Sequence, residues 1–362
     1  MLFHFLVPLA ESFGPFNLFR YLTFRTGGAM VTAMLIAFCL GPMLIRRLGA
    51  MQGGGQPIRD DGPDRHWLTK QGTPTMGGLL ILIAGLGATI IWADPVNPYI
   101  WTVILSGIGF GLIGLFDDIR KVRRRLTGGI SSSVKFLLQI AVALPTALAV
   151  FWLAPDWLAG RLAVPFVKDF LPNLGLAWIA LAVFVSVGTS NAVNLTDGLD
   201  GLAIVPIMIA AGAFGLIAWL IGNAFFADYL QIHYVPGAGE LAVLCGALIG
   251  SGLGFLWYNA HPARIFMGDT GSLATGGMLA AIALIARHEI VLAVIGGLFV
   301  VETVSVILQV VSYRLTGRRI FRMAPLHHHF EQKGWPEATV VVRFWIIAAV
   351  CALAGLATLK LR

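Results

Sequence analysis

The sequence predicts an all-α, polytopic integral membrane protein with about ten transmembrane helices. Apolar residues make up 57% of the 362 residues, charged residues only 12%, and the mean hydropathy is +0.83. A soluble domain averages about 25% charged residues. The apolar segments are long and continuous instead of alternating with polar residues, which predicts spanning helices and not a membrane β-barrel.

The candidate spans are runs of mostly apolar residues, of which about 20 suffice to cross the hydrocarbon core. In chain order they are 24–46, 75–93, 99–116, 134–154, 175–193, 201–221, 241–258, 272–286, 290–313 and 341–360. The eighth is short. No repeat or low-complexity tract divides the chain, so we expect residues 1–362 to form a single transmembrane domain.

Two further segments are apolar without being long enough to span. Met1–Ala10 lacks the basic start of a secretory signal, because Arg20 and Arg25 come after the apolar stretch, and it predicts an interfacial helix. Pro155–Pro172 is semi-apolar and predicts either a hairpin or an interfacial helix.

Basic residues set the predicted orientation, because cytoplasmic loops carry an excess of Lys and Arg. Most of the 25 basic residues fall in one set of loops. That set is therefore predicted to be cytoplasmic, and both termini are predicted to lie on the outer side. The net charge of +7 is then explained by anionic lipid headgroups and not by nucleic acid. Three scattered cysteines exclude a disulfide framework and a Cys-rich metal site.

Five aspartates fall at the predicted cytoplasmic ends of spans: Asp117, Asp118, Asp197, Asp200 and Asp269. Carboxylates near lipid are costly and are usually functional. Two adjacent carboxylates repel unless a cation compensates them, and a magnesium ion or a proton in transit would both suffice. Mg²⁺ typically takes one or two carboxylates plus substrate phosphates. For Asp117-Asp118 alone, a solvated helix end with salt bridges is an equally good interpretation.

The segment Asn194-Leu-Thr-Asp-Gly-Leu-Asp-Gly201 spaces its two aspartates i, i+3, which would place both on one face of a helical turn. The structural alternative is that Asn194 or Thr196 caps the next helix, which would account for only one aspartate. In Phe266-Met-Gly-Asp-Thr-Gly-Ser272 the glycines permit a tight loop before a helix start. Asp269 there could hold a metal, and Phe266 could stack on a base or simply pack.

His327-His328-His329 suggests zinc at first sight. In an extended chain, however, neighbouring side chains alternate in direction and at most two reach one ion. We therefore favour hydrogen-bond donors to phosphate or sugar. Lys70, Lys121 and Lys135 flank the acidic loops, where they are either solvated or clamp a pyrophosphate. Glu302 and Gln309, seven residues apart, share one face of the ninth span.

Gly109-Phe-Gly-Leu-Ile-Gly114 matches the dinucleotide pattern G-x-G-x-x-G, but it lies inside an apolar helix and not between a strand and a helix. Gly107, Gly111 and Gly114 are therefore predicted to form a small-residue face for close helix packing.

Taken together, these motifs resemble the polyprenyl-phosphate N-acetylhexosamine-1-phosphate transferase superfamily over essentially the whole chain. Pro325-Leu-His-His-His-Phe-Glu331 resembles the muramoyl-pentapeptide branch. The resemblance implies transfer of phospho-N-acetylmuramoyl-pentapeptide from its UDP derivative to undecaprenyl phosphate, with Mg²⁺ as cofactor, giving lipid I and UMP. Direct attack and a phospho-enzyme intermediate both stay open.

The resemblance also implies residue roles. Catalysis is expected of Asp117, Asp118 and Asp269, with Asp269 a direct Mg²⁺ ligand and the other two further candidates for the metal. Phe266 and Asn259 are expected to hold the uridine. The full substrate-binding set comprises Lys70, Thr75, Lys121, Lys135, Asn194, Asp197, Asp200, Asn259, Phe266, Gly268, Ser272, Gln309, His327, His328 and His329.

The expected partners are UDP-N-acetylmuramoyl-pentapeptide, undecaprenyl phosphate and membrane lipid, in a bacterial inner membrane with the active site facing the cytoplasm. Whether the chain is a monomer or a homodimer stays open. Two rival functions remain. One is an N-acetylglucosamine-1-phosphate transferase, which the histidine loop disfavours. The other is a cation-coupled transporter, whose site would normally lie near the bilayer midplane.

Overall fold

The described part of the computed structural model comprises residues 1–53, 72–124, 128–165, 167 and 170–360, and it is helical apart from turns and one isolated bridge. Fourteen α-helices occur in these residues. They are α1 (Leu2–Leu6), α2 (Leu22–Gln52), α3 (Gly78–Trp92), α4 (Pro98–Arg124), α5 (Ser132–Leu153), α6 (Ala177–Thr196), α7 (Ile204–Ile221), α8 (Ala224–Leu230), α9 (Leu241–Asn259), α10 (Gly268–Ile285), α11 (Glu289–Ile295), α12 (Gly297–Thr316), α13 (Leu326–Gln332) and α14 (Glu337–Ala357).

Nine helices of the described residues are long and apolar enough to cross a membrane, and α3 is a shorter apolar helix of 15 residues. Each of the ten predicted spans coincides with a helix. The ninth is divided at Gly296, which separates α11 from α12. The all-helical, multi-pass fold class is thus confirmed.

Helix α10 forms the centre of the bundle and is the most buried of the long helices described. It packs against α4 on one side and α6 on the other. The predicted glycine face of α4 is confirmed at this contact, because a Cβ on Gly107 would lie 2.6 Å from Met278 and one on Gly111 would lie 2.8 Å from Leu82. Small residues therefore set the spacing of α4, α3 and α10.

Two helix boundaries differ from the prediction in a way that matters for the site. Helix α4 continues past the predicted span to Arg124, so Asp117 and Asp118 lie within a helix and not at its end. Straight-chain basic residues are good helix formers, which explains the extension beyond the apolar run. Helix α10 begins at Gly268, before the predicted span 272–286, so Asp269 lies in its first turn and not in the loop that precedes it.

The bundle has two distinct ends, which we call the aspartate end (holding Asp117 and Asp269) and the far end. At the far end, Leu162 N–H donates to Pro172 and Leu174 N–H donates to Gly160, so the hairpin alternative describes this segment. The N-terminal ten residues form α1 followed by a 3₁₀ turn at Pro8–Glu11, and not one continuous helix.

Candidate active site

Asp117 and Asp118 project from α4 into the contact with α10, where their side chains are almost completely buried. Gly114, one turn earlier, makes this contact possible. A Cβ at that position would lie 2.1 Å from the backbone oxygen of Asp269. The close approach of the two helices therefore brings the aspartates of α4 beside the first turn of α10.

Asp118 caps the start of α10. Its Oδ2 accepts hydrogen bonds from Thr270 N–H (3.0 Å) and the Thr270 hydroxyl (2.7 Å), and its Oδ1 accepts one from Asp269 N–H (3.2 Å). These amides are among those that a helix start leaves without partners, and the helix dipole favours a negative charge there. The carboxylate thus has a structural role, which the sequence interpretation of a paired catalytic or metal-binding aspartate did not include.

Asp117 and Asp269 share two lysines. Lys121 Nζ lies 2.7 Å from Asp117 Oδ2 and 3.2 Å from Asp269 Oδ2. Lys135, from α5, donates to Asp269 Oδ2 and lies 3.8 Å from Asp117 Oδ2. Asp117 Oδ1 also accepts Ile130 N–H at 2.6 Å. Two carboxylates from different helices therefore face one small volume that already accommodates positive charge.

A chain of hydrogen bonds links the first turn of α10, which carries Asp269, to α6. Asn194 Nδ2 donates to Ser272 Oγ at 2.8 Å, and Ser272 Oγ donates to the carbonyl of Gly268 at 3.0 Å. Gly268 has φ +70°, and a Cβ there would lie 2.6 Å from Thr75 Oγ1. Four predicted substrate-binding residues are thus adjacent to the predicted metal ligand.

The segment from Asp197 to Ala203 consists of turns, so its two aspartates do not share a helical face. Capping is not observed either, because α7 has Ala203 at its N-cap and Thr196 bonds within its own helix. Asp200 Oδ2 accepts Ala263 N–H (3.1 Å) and lies 3.0 Å from His261 Nδ1.

Asn259 joins two loops through its side-chain amide. Its Oδ1 accepts Gly201 N–H (3.0 Å), and its Nδ2 donates to the carbonyl of Ile265 (2.8 Å). It therefore fixes the loop that carries Phe266. Phe266 is half-buried, and its backbone bonds to Pro74 and Gly77. Lys70 lies outside the described residues.

The three histidines begin the short helix α13, and not an extended chain as the sequence interpretation assumed. Their rings nevertheless have different neighbours. His327 is fully buried beside Glu302, and His328 Nδ1 lies 2.7 Å from Glu331 Oε2. His329 Nδ1 accepts a hydrogen bond from Arg322 N–H.

The surroundings of His329 favour its neutral form. Burial, followed by the nearby charges of Lys333 and Arg322, lowers the pKa of His329. Gln309 lies beside the same loop and bonds to the backbone of Ile320 and Phe321 through both side-chain atoms.

Comparison with known proteins identifies the family. A profile of glycosyl transferase family 4 matches residues 100–287, and a phospho-N-acetylmuramoyl-pentapeptide-transferase signature matches residues 70–82. The chain is also 58% identical over 360 residues to the phospho-N-acetylmuramoyl-pentapeptide-transferase of Rhodopseudomonas palustris (strain BisB18), covering 99% of each chain. The chain belongs to the phospho-N-acetylmuramoyl-pentapeptide-transferase family. The resemblance read from the motifs is thereby confirmed.

The two matched regions of this phospho-N-acetylmuramoyl-pentapeptide-transferase family member cover most of the predicted site. The signature at 70–82 includes Lys70 and Thr75, and the family 4 region includes all five predicted aspartates. The histidine loop lies beyond both, so the chain-long similarity to the relative is what covers it.

Sequence reasoning missed three residues that lie beside predicted site residues of this phospho-N-acetylmuramoyl-pentapeptide-transferase family member: Thr270, His261 and Glu337. Thr270 was present in the quoted motif, but its bond to Asp118 joins positions 152 residues apart. The other two are His261 and Glu337, which lie beside Asp200. Asp200, His261 and Glu337 each offer one possible metal-ligand atom, and these atoms lie within 4.8 Å of one another. The only sequence signal was the position of His261 two residues after Asn259.

Proposed function

We propose that this chain transfers phospho-N-acetylmuramoyl-pentapeptide from UDP-N-acetylmuramoyl-pentapeptide to undecaprenyl phosphate, giving lipid I and UMP in peptidoglycan synthesis. The name of the 58% identical relative supports the reaction. In this transfer an oxygen of the lipid phosphate bonds to the sugar-linked phosphorus. The bond from that phosphorus to the bridging oxygen breaks, and UMP leaves with that oxygen.

The observation that carries the proposal is the cluster of Asp117, Asp269, Lys121 and Lys135. Two anionic substrates must meet, so their mutual repulsion has to be offset. Lys121 and Lys135 each contact both carboxylates, and as point charges they suit the oxygens of a diphosphate. Their ammonium groups would exchange a carboxylate for a phosphate oxygen when the donor binds.

The same cluster fits Mg²⁺, because Asp117 and Asp269 present carboxylate oxygens, the hard ligands that this ion prefers, on either side of one cationic group. Asp269 would hold the ion, with Asp117 a further candidate ligand, and the bound ion would neutralise diphosphate charge and orient the diphosphate. Asp118 is a weaker candidate ligand, since its oxygens already accept three hydrogen bonds at the start of α10.

The remaining residues divide between the two substrates. Asp117 would accept a proton from the lipid phosphate or orient it. Phe266 would stack on the uracil, with Asn259 and Asp200 nearby. The histidine loop would contact the phosphate and sugar of the donor.

The acceptor would reach this cluster from the bilayer. Phe116 and Leu112 are exposed on the face of α4 next to Asp117, and their surface suits a prenyl chain. By the distribution of Lys and Arg, the aspartate end faces the cytoplasm of a bacterial inner membrane and both termini face outward. The aspartates gather at one end of the bundle, which favours an enzyme over a midplane transport site.

The decisive experiment incubates the purified protein with UDP-N-acetylmuramoyl-pentapeptide, undecaprenyl phosphate and Mg²⁺, and measures UMP together with the lipid-linked product. We expect both products in equal amounts, and neither when the lipid is omitted. Asp269→Asn should abolish turnover while the protein still inserts and purifies normally. Asp228→Asn, an exposed carboxylate in α8, is the matched control and should retain activity.

Two results would contradict the proposal. Preferential use of UDP-N-acetylglucosamine would reassign the chain to the N-acetylglucosamine-1-phosphate branch. Uptake of a donor or cation by vesicles without any UMP would indicate transport. Near-normal activity of Asp269→Asn at ordinary Mg²⁺ concentration would remove Asp269 from the site.

A further inference from the structure

Glu302 is a fully buried carboxylate in α12, away from the lysine–aspartate cluster. Its Oε1 accepts the backbone N–H of His327 at 3.2 Å, and its Oε2 lies 3.2 Å from His327 Nδ1, an ion-pair distance without hydrogen-bond alignment. Removing a carboxylate from water is unfavourable unless a partner offsets the loss. Both oxygens of this carboxylate are directed at a single residue, so Glu302 fixes His327 by its main chain and its ring.

The imidazole of His327 in turn packs against the turn that contains Asp197. A Cβ on Gly198 would lie 2.2 Å from His327 Nε2, so the ring occupies the space that any side chain at 198 would need. Nδ1 of the same ring faces Glu302, and Nε2 faces the turn. Glu302, His327 and Gly198 thus form one continuous contact from α12 to the turn.

We propose that Glu302 is a positioning residue for the donor site: through His327 it holds the 197–200 turn in the conformation that binds the UDP-linked substrate. The inference rests on the proposed function. It assigns to Glu302 the positioning of the donor-binding turn, a role separate from that of the lysine–aspartate cluster. His327 packs between α12 and the turn, while His328 and His329 are less buried.

The lipid acceptor provides the internal comparison. Glu302 contacts neither Asp117 nor Lys121 in the described structure, so its loss should leave the lipid-phosphate side unchanged. Substitution by Gln keeps the volume and one acceptor for the His327 N–H but removes the charge. At metal sites, loss of the partner that orients a histidine typically costs about 10–100-fold in affinity or activity, and we expect an effect of that order here.

The experiment measures steady-state kinetics for wild type, Glu302→Gln, His327→Gln and the double variant, with donor and lipid varied separately. Glu302→Gln should raise the donor KM by about tenfold or more and leave the lipid KM and kcat close to wild type. The double variant should be no worse than the worse single variant, because both remove the same contact. Thr303→Val is the matched control, since that hydroxyl bonds only within α12, and it should leave all three parameters unchanged.

Gly198→Ala approaches the same contact from the other side. Its methyl group would displace the His327 ring, so the donor KM should rise again while the lipid KM stays constant. This variant decides the matter if Glu302→Gln does not fold, as judged by its thermal unfolding and size-exclusion profile.

Three outcomes would overturn the inference: an unchanged donor KM in folded Glu302→Gln or in Gly198→Ala, a fall in kcat alone, or additive effects in the double variant. Failure of the proposed function is a different result, because wild type itself would then release no UMP.

Discussion

Asp118 Oδ2 accepts both the backbone N–H and the hydroxyl of Thr270, which ties the last turns of α4 to the first turn of α10. The contact lies beside Asp117 and Asp269. The relative position of these two side chains therefore depends on the hydrogen bonds that Asp118 accepts from the start of α10. The two adjacent aspartates of α4 therefore have different partners. Asp117 lies beside Lys121 and Lys135, whereas Asp118 accepts hydrogen bonds from the start of α10.

The first prediction tests the structural role of Asp118. Thr270→Val removes one hydrogen bond to a carboxylate and keeps the shape of the side chain, so we expect a loss of roughly 1–3 kcal/mol of stability. Thermal unfolding in detergent measures it. Thr275→Val, whose hydroxyl bonds only to the backbone of the same helix, is the control. Equal unfolding temperatures for the two variants would mean that the Asp118–Thr270 contact contributes nothing specific.

The second prediction concerns Asp117. A general base contributes about 10²–10⁴-fold to a rate, so Asp117→Asn should lower kcat by that order. Donor affinity, measured by equilibrium binding of the UDP-linked substrate, should change little. If donor affinity collapses while kcat at saturation holds, Asp117 binds the donor and the assignment to the lipid phosphate is wrong.

The third prediction concerns the half-buried ring of Phe266. Stacking of a base on an aromatic ring is worth about 1–3 kcal/mol, so Phe266→Ala should raise the donor KM by about tenfold or more. Phe266→Tyr preserves a ring and should keep the donor KM near wild type. An unchanged KM in the alanine variant places the uracil elsewhere.

The fourth prediction uses Glu289, at the far end of the bundle. Burial raises the pKa of Glu289 to about 7, even though Trp178 donates a hydrogen bond to its Oε1. The folded state then binds the proton more tightly than the unfolded state. Below pH 4.5 the carboxyl is protonated in both states and does not change the free energy of unfolding. That free energy falls as pH rises from about 4.5 to about 7, because the folded state keeps a proton that the unfolded state releases.

Glu289→Gln should abolish that part of the pH dependence. Between pH 4.5 and pH 8, the free energy of unfolding of the variant should rise relative to that of wild type by at most about 3 kcal/mol. Unfolding temperatures measured over this range, with the exposed carboxylate of Glu11 replaced in Glu11→Gln as control, give the comparison. Parallel curves for wild type and Glu289→Gln would contradict the prediction.

The fifth prediction is that the histidine loop serves the donor and not zinc. His327, His328 and His329 have different carboxylate or backbone neighbours, and Arg318, Arg319 and Arg322 make the loop basic, which disfavours a bare dication. Elemental analysis of the purified protein should show no zinc, with full activity on Mg²⁺ alone that is lost in His328→Ala. Stoichiometric zinc that disappears in the same variant would refute this.

Sequence alone predicted the helices well, because long apolar runs in this chain have no plausible alternative conformation. It also predicted that Asp117 and Asp269 would lie at the same end of the bundle, because the distribution of Lys and Arg between the loops fixes the orientation of each span. It did not predict that α4 extends to Arg124, where the Asp117–Lys121 pair at i, i+4 supports further turns after the apolar run has ended.

Pairings between distant positions were likewise not predictable. Nothing local in the sequence distinguishes Asp118 as the cap of a helix that begins 150 residues later. Likewise, the contact of Asp200 with His261 depends on how the loop after α9 returns to the turn after α6. Such contacts depend on how distant helices pack, and this packing gives aspartates of the same chain different partners.

Two sets of helical glycines in the described residues differ in their tolerance of a methyl group, with a practical consequence for engineering. At Gly78 and Gly114 a methyl group would lie 2.1 Å from backbone atoms of α10, so alanine there would push the helix carrying Asp269 out of register. Gly27, Gly87 and Gly188 are also helical, yet a Cβ at each would meet nothing within 4 Å. Thermostabilising glycine-to-alanine libraries should therefore be confined to this second set, where added rigidity leaves the chemistry undisturbed.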